Sequence, residues 1–194
     1  LTPTMQTKQR LLGIARAWLT CLAANAEVKL PAFFSDGMVM QQQTRANLWG
    51  TATPDAPVKI TTSWDKQTYK TTADAKGAWK LALSTPSAGG PYTITFDDGK
   101  LTEIRDILMG ELWFCSGQSN MEMPMKGFKN QPVENSNTDV MNSRNPQLRL
   151  FTVKRSSSFT PKTDVVGTWQ EAVPATVREF SATAYYFGRM IQQQ

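Results

Sequence analysis

The stretch that most constrains this chain is Ile107–Asn120, ILMGELWFCSGQSN. Ile107–Cys115 is almost continuously apolar, the pattern of a strand buried on both faces of a parallel sheet. Ligands of such sheets bind beyond the carboxyl ends of the strands, and Ser116-Gly117-Gln118-Ser119-Asn120 lies at that end. Gly117 permits a sharp turn. A serine delivered there can turn its hydroxyl and its backbone N–H toward one cleft, so Ser119 could supply both a nucleophile and an oxyanion donor. The pattern differs from the G-x-S-x-G elbow, because Met121 occupies the place of the second glycine. Taken alone it is also the composition of an ordinary turn.

Composition narrows the chemistry. The chain has 194 residues and no histidine, so a mechanism that uses an imidazole base cannot be completed within it. Of the two cysteines, Cys21 falls in a leader-like segment, which leaves Cys115 without an internal disulfide partner. Metal sites built from Cys and His need more such ligands than this. The formal charge is +5, but Lys8, Arg10 and Arg16 lie in a first segment free of acids. The excess is therefore largely N-terminal, and no basic run interleaved with aromatics points to nucleic acid.

From Met5, after a four-residue overhang, a basic region precedes LLGIARAWLTCLAA and then Ala24-Asn25-Ala26. Small residues at these spacings fit a secretory cleavage site before Glu27, although Arg16 interrupts the apolar run. Export to the periplasm or outside the cell is the expectation. The alternative is an amphipathic helix docked on the domain. The stretch is too short to span a membrane, and nothing later approaches spanning length.

Beyond Glu27 the period changes to two. Val58, Ile60, Thr62 and Trp64 alternate with polar residues, as do Trp79, Leu81 and Leu83, and then Tyr92, Ile94 and Phe96. Asp65-Lys66, Asp74–Gly77 and Asp97-Asp98-Gly99 supply turn chemistry between them. Strands about ten residues apart predict a sandwich or small barrel. Trp49, Trp64 and Trp79 could be sugar-stacking platforms, but their strand pattern favours core packing. Ser63-Trp64-Asp65-Lys66 fits S-x-x-K, yet it lies on a predicted strand and turn with no K-T-G after it.

Downstream, Leu148–Val153 predicts a second strand and Ser156–Pro174 a long polar connection. Thr138 could cap a short helix to Asn142. Ser181 could cap a helix whose inner face carries Ala184, Tyr185 and Gly188. Met121, Met123 and Met125 read as gap-filling side chains rather than soft-metal ligands.

GELWFCSGQSNMEMPM closely resembles the first conserved block of the sialate O-acetylesterase family, a branch of the SGNH (GDS-like) hydrolases. Leu30–Gln42 (LPAFFSDGMVMQQ) is similar to that family's entry into its N-terminal β domain. Gly77–Leu83, Gly89–Thr95, Asn145–Val153, Trp169 and Phe180–Arg189 (FSATAYYFGR) follow in the family's order. The similarity covers about residues 30–190. Gly37 and Met40 stand where the family often has other residues.

The resemblance implies an N-terminal all-β sandwich domain followed by the start of an α/β/α three-layer SGNH-hydrolase domain. The expected divisions are 1–26 (overhang and signal peptide), 27–105 (β sandwich) and 106–194 (incomplete hydrolase domain). It implies Ser119 as nucleophile and oxyanion N–H donor, on a turn formed by Gly117, Gln118 and Asn120. The family's glycine and asparagine donors and its Asp and His come from later blocks that are absent here; Asp139 and Asp164 do not match its aspartate. The expected activity is release of acetate from O-acetylated sugars, sialic acids first. An acetylxylan-type esterase and a non-catalytic carbohydrate-binding module are the alternatives. No metal or organic cofactor, no nucleic-acid partner and no membrane span are implied. The 194 residues alone read as an inactive fragment of such an enzyme, and nothing in them indicates an oligomeric state.

Overall fold

A computed structural model describes residues 27–193. The leader-like segment with Cys21, and therefore the expected export signal, lies outside the described residues. The elements are β1 (Val39–Gln41), β2 (Arg45–Thr51), β3 (Pro57–Thr62), β4 (Thr68–Thr72), β5 (Ala78–Ser84), β6 (Gly89–Asp97) and β7 (Leu101–Gly110). They are followed by α1 (Ser119–Glu122), α2 (Ser136–Met141), β8 (Asn145–Phe151), β9 (Trp169–Ala172), α3 (Pro174–Val177) and α4 (Ala182–Gln192). Strand is the dominant structure and helices are few.

The first seven strands enclose one core. Five form a sheet in the order β1-β7-β6-β3-β4, and β2 pairs with β5 in a separate ladder. Alternation positions the apolar side chains as the sequence predicts: in β3, Val58, Ile60 and Thr62 are buried while Pro57, Lys59 and Thr61 are exposed. Leu48 and Leu83 of the ladder join Ile60, Ile94, Phe96 and Ile107 of the sheet in one cluster, each with no exposed surface. Burial of each such side chain contributes about 1.5–3 kcal/mol. The predicted turns fall between strands. Asp74 shows why: its Oδ1 accepts from the N–H groups of Lys76 (2.8 Å) and Ala78 (2.9 Å), which folds the chain back at Gly77, φ +82°.

The strand expected over Ile107–Cys115 is different. Ile107–Met109 are buried, but they belong to β7, which pairs antiparallel with β6 and parallel with β1. Regular structure stops at Gly110, and Glu111–Gly117 are exposed and irregular. Burial of Ile107–Met109 is thus supplied by the β region itself, while Leu112, Trp113 and Phe114 stay exposed, and residues 105 and 106, the expected boundary, both lie within β7. The core reading holds for Trp79, which is 4% exposed. Trp49 and Trp64 are only partly buried against the same cluster.

After residue 110 the described residues provide one two-stranded ladder, β8–β9, which is antiparallel. Part of the polar connection expected over 156–174 is therefore strand. Four helices accompany the ladder among the described residues. The second cluster joins Met125, Leu150, Ala172, Val177, Ala182 and Tyr185. Met125 has no exposed surface, in keeping with a gap-filling methionine. Ser181 caps α4 as expected, its Oγ accepting from the Ala184 N–H at 3.3 Å. Helix α2 begins earlier than expected, after Asn135 at φ +56°, a conformation asparagine tolerates. None of the described helices is long and apolar enough to cross a membrane.

Candidate active site around Ser119

Ser119 is the first residue of α1, and its side chain is exposed. The Gln118 carbonyl accepts from the N–H groups of Met121 and Glu122, both at 3.0 Å. Among the described residues the N–H groups of Ser119 and Asn120 have no acceptor, as expected at the start of a helix. Among the described residues the Ser119 hydroxyl also has no hydrogen-bond partner. A hydroxyl and an adjacent N–H, both unengaged, are the components an attacking serine requires.

Gly117 acts differently from the expectation. Its φ is not in the left-handed region. The turn instead brings Met121 so close that a Cβ on residue 117 would lie 3.2 Å from the Met121 Cβ. Close approach, not backbone reversal, is what favours glycine there.

The turn is fastened to the start of α4. Thr183 Oγ1 donates to the Asn120 carbonyl (3.0 Å), and the Ala182 N–H donates to the Met123 carbonyl (2.8 Å). Ser181 Oγ lies 3.5 Å from the Met121 sulfur, and the Met125 N–H donates to the Phe180 carbonyl at 2.9 Å. These partners were not evident from the sequence, because they lie some sixty residues away. Trp113 meets Phe187 of α4 edge-on, with centroids 5.0 Å apart.

On the other side, Gln41 and Gln42 donate from their side-chain amides to the two oxygens of Glu111, at 3.1 and 2.8 Å. The Gln41 side-chain oxygen accepts from the Leu112 N–H at 2.9 Å. The amide donors of Gln42 and then Gln41 hold the Glu111 carboxyl below its ordinary range. The segment leading to Ser119 thus leaves the β region through a fixed point. Beyond Ser119, Arg155 Nη1 pairs with Glu122 Oε1 at 3.2 Å across an exposed surface.

Neither remaining aspartate approaches the serine through the contacts it makes. Asp164 Oδ1 accepts from the Ala32 N–H at 2.7 Å. Asp139 accepts from Arg189 Nη1 (2.8 Å) and from the Tyr186 hydroxyl (2.7 Å), tying α2 to α4. The Arg189 hydrogen bond, then that of Tyr186, lowers the Asp139 pKa, while burial and Asp139 push Tyr186 up to about 12. A carboxyl lowered by folding stabilises the fold above its unfolded pKa and loses that contribution as pH falls through the folded value. Asp139→Asn is therefore expected to cost about 1 kcal/mol at neutral pH, with the difference shrinking below pH about 4. Urea titrations at both pH values measure this; an undiminished gap in acid would contradict it.

No family profile matches the chain. Pairwise comparison does find relatives. The sialate O-acetylesterase of Rattus norvegicus is 28% identical over 199 aligned residues, covering 93% of this chain and 35% of that protein. The human sialate O-acetylesterase is 27% identical over 185, covering 86% and 35%. Among solved structures, a carbohydrate acetylesterase from Xanthomonas citri superimposes with a TM-score of 0.79 at 32% identity, covering 86% of this chain and 37% of that one. The chain spans about a third of the length of the proteins it matches. With the serine block, the ordered matches around it and the shared fold in agreement, the chain is a relative of the sialate O-acetylesterases.

Proposed function

We propose that these residues form part of a carbohydrate O-acetylesterase with Ser119 as its nucleophile. The observation that carries this reading is the exposed Ser119, its hydroxyl and N–H both unengaged among the described residues, on a turn fastened to α4. In the proposed reaction Ser119 Oγ attacks the acetyl carbonyl carbon, and the oxyanion accepts from the Ser119 N–H. The ester C–O bond then breaks. The sugar oxygen leaves with the proton taken from Ser119, and water releases acetate from the acetyl-serine. This chemistry requires no metal or organic cofactor.

The proton acceptor is a histidine outside these 194 residues, oriented by an aspartate, because the sequence itself has no histidine. The glycine and asparagine oxyanion donors come from outside as well. The exposed segment from Glu111 to Gly117 and the β8–β9 ladder then belong to a three-layer α/β/α domain that those further residues complete. The names of the curated relatives favour O-acetylated sialic acid as substrate. The Xanthomonas citri enzyme is described as acting on carbohydrate, which keeps an acetylated plant polysaccharide as the second reading. The leader-like residues 5–26 support export.

On this reading the 194 residues alone hydrolyse p-nitrophenyl acetate no faster than their own Ser119→Ala variant. Robust turnover that disappears with Ser119→Ala would show that the base is already present and would overturn the missing-histidine argument.

A further inference from the structure

The outer face of the β2–β5 ladder carries a groove whose lining does not include the serine turn. Side chains alternate along a strand, and Leu48 and Leu83 point into the core. Trp49, next to Leu48, therefore lies on the opposite face, directly across from Lys80 in the register. Lys29 pairs with Thr51 two residues further along β2. Leu30 and Pro31 contribute to one side of the lining, and outside it the rings of Phe33 and Phe34 brace Trp49 edge-on, with centroids 5.2 and 4.9 Å away. Thr163 and Asp164 contribute to the rest of the lining. The Trp49 Nε1–H donates to the Thr163 carbonyl at 3.0 Å, which fixes the ring. The groove is half open to solvent and offers about 560 Å³.

Its chemistry is amphipathic. Trp49 is half-buried and held in one orientation, with apolar Leu30 and Pro31 beside it. At the rim, the ammonium groups of Lys29 and Lys80 make no hydrogen bond or ion pair among the described residues. Asp164 Oδ1 is used by the N–H groups of Ala32 and Val165, but Oδ2 has no partner among the described residues. A fixed aromatic surface flanked by two free donors and a free acceptor matches a pyranose ring, which has an apolar C–H face and a hydroxylated edge. An isolated core tryptophan would need neither the groove nor the polar rim.

We propose that this groove is an accessory carbohydrate-binding site, with a sugar ring against Trp49 and its hydroxyls on Lys29, Lys80 and Asp164. It would hold a glycan chain on the β region independently of whether Ser119 is a nucleophile.

The test is titration of the intact 194-residue chain with neutral xylo-oligosaccharides and, separately, with acidic oligogalacturonides, followed by saturation-transfer NMR. Binding of at least one series is expected. Trp49→Ala should weaken it about tenfold, and the exposed pair Lys29→Ala/Lys80→Ala by several-fold, with Trp64→Phe as an unaffected control. Preference for the acidic series would assign the lysines to a carboxylate, and equal binding would assign them to hydroxyls; either supports the site. The lysine variant keeps the test decisive should Trp49→Ala fail to fold. No binding of either series up to about 10 mM, or binding unchanged in the lysine variant, would overturn the proposal. Neither result would bear on Ser119, whose test is ester turnover.

Discussion

In an enzyme that contains these residues together with their histidine, Ser119→Ala lowers kcat for an acetylated sugar by about 10⁴-fold or more. The size follows from what alanine removes. The backbone N–H of residue 119 remains, so the oxyanion keeps this donor. What disappears is the only atom proposed to bond with the acetyl carbon. KM should change little, because the side chain does not hold the sugar. Loss of packing cannot produce the effect either: Ser119 is exposed, and its Oγ has no partner among the described residues. Thr183→Ala makes the contrast. It deletes the bond to the Asn120 carbonyl that fastens the turn, at a cost of about 1 kcal/mol, and should reduce turnover about tenfold or less. Steady-state kinetics on an acetylated sugar and on p-nitrophenyl acetate separate the two. If Ser119→Ala kept a tenth of the activity, another group would be the nucleophile.

How far this site was legible depended on the range of the signal. The β hairpins could be read because alternation and Asp/Gly turns are local, as Val58–Thr62 and Asp74–Gly77 show. Ile107–Met109 were correctly read as buried strand, but the identity of the pairing strands was not in the run. Both β1 and a strand of a second domain could satisfy an apolar segment, and periodicity does not choose between them. The short β9 was hidden because only Trp169 marks it; its existence depends on β8 across the ladder. Ser119 itself would pass for a turn residue without the matches on either side. Of its clamps, Ser181 is marked locally only as a helix cap, and Thr183 carries no local mark at all.

Gly37, one of the residues at which the sequence departs from what the family often has, gains a physical account at the joint between the two regions. It adopts φ +78°, and a Cβ there would lie 3.1 Å from Arg149 Nη1. The Arg149 side chain is only 5% exposed. Its Nη1 and Nη2 donate to the two oxygens of Asp106, at 2.6 and 3.1 Å. Nη1 also reaches the Gly37 carbonyl (3.3 Å), and Nε donates to the Pro146 carbonyl (2.9 Å). Asp106 sits at a positive φ within β7, and beside it the Trp169 Nε1–H donates to the Phe33 carbonyl at 2.7 Å. One guanidinium on β8 thus ties the loop before β1 to β7. Arg149→Ala removes its charge-assisted bonds and leaves a void, and is expected to cost about 3 kcal/mol, or roughly 10 °C in Tm. Asp106→Asn should cost less, about 1–2 kcal/mol, because Asp106 is 47% exposed and water can replace part of what it provides. Arg149→Met tests the division between packing and charge: it fills the void but leaves the Gly37 carbonyl without its donor, so it should fall between wild type and alanine. Thermal unfolding of the four proteins decides the matter. An Arg149→Ala variant within 1 kcal/mol of wild type would mean that the joint is held by Trp169 and its neighbours, with the arginine incidental to it.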